Sequence, residues 1–183
     1  MPRLANFQKN NADMLSAADR CIELRQFMPA LALIYSHIDT LAWAASKKTG
    51  TDVRSTFESW VKRWLIPHLS THAPDVTPTD LYAARCGILH TLTGKSNLSK
   101  TENAREIAYA WGTGSTDVLK NILADTGYSK KLVVLHYQEL LKCVTSAVTD
   151  FVSYAESDSE LESALEAANS KHYTNIPIPP EPK

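Results

Sequence analysis

The 183-residue sequence predicts a mainly α-helical single domain with a small two-stranded β insertion around 105–136. Apolar residues recur at three-four spacing along most of the chain, and prolines and short polar runs cut that pattern into helix-sized pieces. Hydrophobic residues make up 44% and charged residues 21%, so one core can form without disulfide or metal staples.

The first helix is expected over roughly 11–27, with Leu15, Ala18 and Ile22 marking its turns. Pro29 then separates it from "PALALIYSHIDTLAWAAS", the best amphipathic segment. There Leu31, Ile34, Tyr35, Ile38, Leu41, Ala42 and Ala45 form one stripe, and Pro29 suits a first turn. "TDVRSTFESWVKRWLIP" continues the pattern with Val53, Phe57, Trp60, Val61 and Trp64 on a face, Thr51 or Asp52 as cap, and Pro67 as terminator. From His68 to Pro78, two further prolines predict a loop. The next helix starts near Asp80, capped by Thr77 or Thr79, and ends near Gly94. "REIAYAW" and "KLVVLHY" read as strands pairing in a hairpin, with "STDVLKNILADTG" between them as a capped helix stopped by Gly127. Tyr137, Leu141, Val144, Val148, Phe151 and Ala155 then mark a long packed helix, and a short acidic helix follows over about 157–168. The domain thus spans 1–172, and the Pro-rich tail 173–183 is expected to be extended and mobile.

Cys21, Cys86 and Cys143 are far apart and lack CxxC spacing, which points to free thiols in a reducing compartment and so to the cytoplasm. "MPRLANFQKNNAD" lacks a signal-type apolar core, and no apolar run is long enough to span a membrane. A formal net charge of -1 does not advertise a nucleic-acid binder, although a local basic cleft is compatible with it.

The segment "DLYAARCGILHTLTGKS" carries the most informative residues. At about 100° per residue, Leu81, Ala84, Ile88, Leu89 and Leu92 form an apolar stripe, and Arg85 falls inside it. A guanidinium there needs a partner or an aqueous cleft, because an isolated buried charge costs several kcal/mol. Asp39, beside Ile38 and Ala42 on the flank of the best helix, is the expected partner. His90 follows five positions after Arg85, roughly 140° around the axis and about 7.5 Å along it. The two side chains meet only if the helix loosens near Gly87, if Arg85 curls toward His90, or if a second copy crosses the helix.

"RCGILH" resembles the R-x4-6-H motif of the HEPN superfamily, small helical-bundle domains that include metal-independent endoribonucleases of toxin, antiviral and RNA-processing systems. The setting is also similar, with a long helix before the motif and further helices after it. The resemblance implies a homodimer whose interface brings the motif together, RNA as target, and in toxin systems a cognate antitoxin or other protein partner. It implies that Arg85 binds the scissile phosphate and His90 assists proton transfer, with no cofactor or metal. These residue types suit the roles: a guanidinium fork matches phosphate, and imidazole titrates near neutrality. The chain departs from the family at Cys86, where nuclease members commonly carry a polar residue. The alternative is a non-catalytic module of the same architecture that binds RNA, a nucleotide or a protein partner; in a more distant one, Arg85 only holds helices together.

Other signals have plainer readings. Arg63 and His68 in "RWLIPH" repeat the interval, but Pro67 is expected to break the helix between them. His68 and His72 have metal-ligand spacing without a third ligand. "GTGST" reads as a turn and N-cap before a helix, and "GKSNLSKTENAR", 94–105, as a polar connector that also suits an RNA phosphate contact. Cys86 reads as packing, and the four tryptophans mostly as core.

Overall fold

The computed structural model describes residues 4–46, 52–92, 104–127 and 131–172. Helix α1 (Ala5–Glu23) buries Phe7, Asn11, Ala18 and Ile22, and helix α2 (Phe27–Ala45) follows after a tight turn. That turn is a left-handed helix stop: Arg25 has φ +57°, its N–H bonds the Ile22 carbonyl at 2.9 Å, and the Gln26 N–H bonds the Cys21 carbonyl at 2.7 Å. The helix therefore ends earlier than the expected 27. Pro29 lies in the first turn of α2.

Helix α3 (Val53–Trp60) is capped by Asp52, whose side chain accepts from the Ser55 N–H. The chain then widens into a π turn (Val61–Leu65) and continues as α4 (Ile66–Leu69). Pro67 does not terminate the helix, contrary to the sequence reading, because the π turn opens the hydrogen-bond ladder ahead of it. His68 accordingly lies in helix, and the loop begins after it. Val53, expected on the inner face, is exposed, whereas Phe57, Trp60, Val61, Leu65 and Leu69 are buried.

Helix α5 (Pro78–Thr91) begins with a capping box between Thr77 and Asp80 and ends at Leu92, which is left-handed at φ +50° and exposed rather than part of the stripe. Gly94 lies outside the described residues. Strands β1 (Glu106–Ala110) and β2 (Leu132–His136) pair in register from Glu106 with Leu132 to Ala110 with His136. The pairing is parallel, not a hairpin. Helix α6 (Asp117–Asp125) is the crossover that brings the chain back to the same end, as parallel neighbours require.

Helix α7 (Tyr137–Ser157) buries every position of its expected stripe, and α8 (Ser159–His172) follows. The molecule is thus mainly helical with a small parallel sheet. At its centre α2 packs against α1, α3, α5, α7 and α8, with Ala30, Ile34, Tyr35, Ile38 and Leu41 at 0–1% exposure. Among the described residues, no helix is long and apolar enough to cross a membrane. The tail 173–183 lies outside the described residues.

Candidate functional site

Packing of α5 on α2 places Arg85 opposite Asp39. The guanidinium forms a two-point contact, Nε donating to Asp39 Oδ1 at 3.2 Å and Nη2 to Asp39 Oδ2 at 2.6 Å. The Arg85 side chain is only 12% exposed and that of Asp39 29%, so the pair lies at the edge of the core. Burial pulls the Arg85 pKa down, but the hydrogen bonds and charge of Asp39 push it up more strongly, and the net shift is upward. The guanidinium is locked as a cation.

The remaining edge of the fork faces His90. Arg85 Nη1 lies 3.2 Å from His90 Nε2, and His90 is exposed. Arginine only donates, so Nε2 must accept, which puts the ring proton of a neutral His90 on Nδ1. Of the three routes by which these residues could meet, the curl of Arg85 along its own helix is the one realised within a single chain. No break occurs at Gly87, which lies inside α5. The result is a row, Asp39 to Arg85 to His90, running from half-buried to solvent.

Tyr82 lines this row. Its ring lies 6.0 Å from the Arg85 guanidinium and 5.9 Å from that of Arg54. Burial first, and Cys86 next, raise the Tyr82 hydroxyl pKa, and Cys86 also helps hold the Arg85 pKa up. Chemically, the row can hold an anion on a fixed cation beside an imidazole with a lone pair directed at the same spot.

A second ion pair went unread in the sequence. Asp80, 1% exposed, accepts from the Thr77 N–H at 3.1 Å, the Arg105 N–H at 2.7 Å and Arg105 Nη2 at 2.9 Å, while Arg105 also donates to the Asp75 carbonyl. It anchors Arg105, the last residue of the polar connector, to the start of α5. The capping box made Asp80 visible locally, but nothing in its surroundings pointed 25 residues ahead. Residues 94–103 of that connector lie outside the described residues.

The remaining candidates are placed elsewhere. Arg63 stacks over Trp64 and Tyr154, while His68 Nε2 meets Asp150 Oδ2 at 2.9 Å, so the second arginine-histidine interval forms no joint site. His72 Nε2 is 3.4 Å from Glu139 Oε2. Among the described residues, no three His, Cys, Asp or Glu side chains are grouped to hold a metal. In "GTGST", Ser115 Oγ rather than Thr116 accepts the Asp117 N–H at 3.1 Å, while His136 Nε2 donates to the Gly112 carbonyl at 2.8 Å. Trp60 is buried, but Trp43 and Trp111 are 53% and 58% exposed, against the expectation of core positions. Comparison of the chain with family models, curated proteins and solved structures finds no match in any of the three.

Proposed function

We propose that this chain is a HEPN-like, metal-independent endoribonuclease of the toxin or antiviral type, acting as a cytoplasmic homodimer. The observation that carries the reading is the 3.2 Å contact between Arg85 Nη1 and His90 Nε2 at the exposed end of the row. An entering RNA phosphate displaces that contact and takes Nη1, which frees the Nε2 lone pair. His90 then accepts the 2′-hydroxyl proton as the 2′-oxygen attacks phosphorus. The P–O5′ bond breaks, leaving a 2′,3′-cyclic phosphate and a 5′-oxygen that takes a proton from solvent, while the protonated His90 returns its own to solvent. The ribose supplies the nucleophile, so no metal is needed for the attack, and Asp39 keeps the guanidinium in place throughout.

One observation favours the non-catalytic alternative, in which the same row binds RNA, a nucleotide or a protein partner. The paired edge of the Arg85 fork is already taken by Asp39, so a phosphate meets one N–H edge instead of two. Incubating the protein with total RNA in excess chelator separates the readings. The nuclease reading expects cleavage that Arg85→Ala and His90→Ala abolish while melting temperatures show folded protein. Intact RNA with wild-type protein, together with retained binding, favours the binder. If Arg85→Ala lowers melting temperature and His90→Ala changes neither cleavage nor binding, Arg85 is only a structural pair.

A further inference from the structure

A second feature lies away from the Asp39–Arg85–His90 row. Where the end of α2 faces α3 and the π turn, a groove of about 280 Å³ opens, lined on one side by Ser55, Thr56, Ser59, Trp60, Arg63 and Trp64. Among the described residues, no carboxylate lines it. The Ser55 hydroxyl already donates to the Asp52 carbonyl, so Thr56 and Ser59 supply the hydroxyl donors of the lining.

Two side chains there are arranged in ways the fold alone does not require. Trp60 is 3% exposed, and its Nε1–H has no acceptor among the described residues. A buried indole N–H is a pure donor whose lack of an acceptor is costly, so a native fold that leaves one invites an explanation. Arg63 is exposed, and its guanidinium carbon lies close to two rings, 4.6 Å from the Trp64 centroid and 4.3 Å from that of Tyr154. Those ring contacts hold the cation without supplying a charged acceptor, and no carboxylate pairs with it among the described residues. The lining thus offers a cation and hydroxyls with no carboxylate among its described residues, and it includes Trp60, whose unanswered indole N–H is buried. It sits beside a π turn, a distortion often found where a helix serves a site.

We propose that this groove binds a phosphate-bearing ligand, the phosphate on Arg63 and the α3 hydroxyls and the attached sugar or base in the rest of the volume. A phosphate matches the fixed fork and the hydroxyl donors together, and the groove is larger than a bare anion needs. The site is independent of the cleavage reading. Two sources share this chemistry: a free mononucleotide and an internal phosphate of a single RNA strand.

The test uses the full chain and titration calorimetry with AMP, adenosine, inorganic phosphate and a short 2′-O-methyl RNA that the proposed chemistry cannot cut. Binding of AMP at least about tenfold tighter than adenosine, weakened about tenfold or more by Arg63→Gln and several-fold by Ser59→Ala, supports the groove with a mononucleotide as source. Arg63-dependent binding of the oligonucleotide alone assigns the phosphate to a strand. Inorganic phosphate competes in either case. Should Arg63→Gln lower the melting temperature enough to leave unfolded protein, Arg63→Lys keeps the charge without the fork, and an intermediate loss is expected. The proposal is overturned if adenosine binds as well as AMP, if Arg63 variants bind unchanged, or if no phosphate-bearing probe binds. It is also overturned if AMP binding is lost in Arg85→Gln and kept in Arg63→Gln, which would put the phosphate on the first site.

Discussion

Asp39→Asn keeps the shape of the side chain against Arg85 and removes its charge. Arg85 would then be left 12% exposed with a neutral partner that can accept only one of its two bonds. Exposed ion pairs contribute about 0–1 kcal/mol, whereas stripping a partner from a fully buried pair costs about 3–5 kcal/mol. With Arg85 largely covered and Asp39 29% exposed, the expected loss lies between these, at about 2 kcal/mol. For a chain of this size, that lowers the melting temperature by about 4–8 °C, read by circular dichroism. Salt should recover little of it, because a mostly covered pair is weakly screened. Adding Arg85→Met to Asp39→Asn should restore part of the loss, since an apolar pair needs no charge compensation. A melting temperature within about 1 °C of wild type would show that the guanidinium reaches water without its partner, and the argument built on its burial would fail.

Burial holds the His37 pKa down, from 6.5 to about 4, and its Nε2 has no partner among the described residues. Between those pH values the unfolded chain binds the extra proton, so stability falls as pH drops, by about 2 kcal/mol from pH 7 to pH 5. Urea midpoints should show this slope flattened in His37→Gln; an unchanged slope would contradict the assignment. Asp80→Ala removes a cap and unpairs Arg105, with an expected loss of about 2–4 kcal/mol and faster hydrogen exchange at the Arg105 amide. Unaltered exchange there would refute the anchor. The Cys143 thiol is pushed up to about 11, chiefly by burial, so Ellman's reagent near neutral pH should modify half-buried Cys21 and Cys86 first. Loss of the fast phase in Cys143→Ser would be the contrary result.

Several features of the fold were legible because a local pattern demanded them. The α7 stripe could be read position by position and the α2 stripe at all but Ala45, which is half-buried while Ala44 is buried, and an arginine inside the α5 stripe required a partner that Asp39 was placed to supply. Other features depend on choices that local composition does not record. The turn after α1 uses Arg25 in a left-handed conformation where glycine is the usual signal, so the helix stop was invisible. β-branched runs look alike in parallel and antiparallel pairs, and the direction followed from where α6 returned the chain. Pro67 read as a stop because the π turn that accommodates it has no sequence mark. At the site, helical spacing placed His90 far around the axis from Arg85. Their contact comes from the length and bend of the arginine side chain, a rotamer choice set by Asp39 gripping its other edge.

The nature of the RNA ends tests the central claim most directly. If Arg85 and His90 direct attack by the neighbouring 2′-hydroxyl, fragments formed in chelator should carry 2′,3′-cyclic phosphate and 5′-hydroxyl ends by mass spectrometry, and a strand with 2′-deoxyribose at every position should stay intact. Fragments with 3′-hydroxyl and 5′-phosphate ends, or cleavage of the deoxy strand, would contradict it.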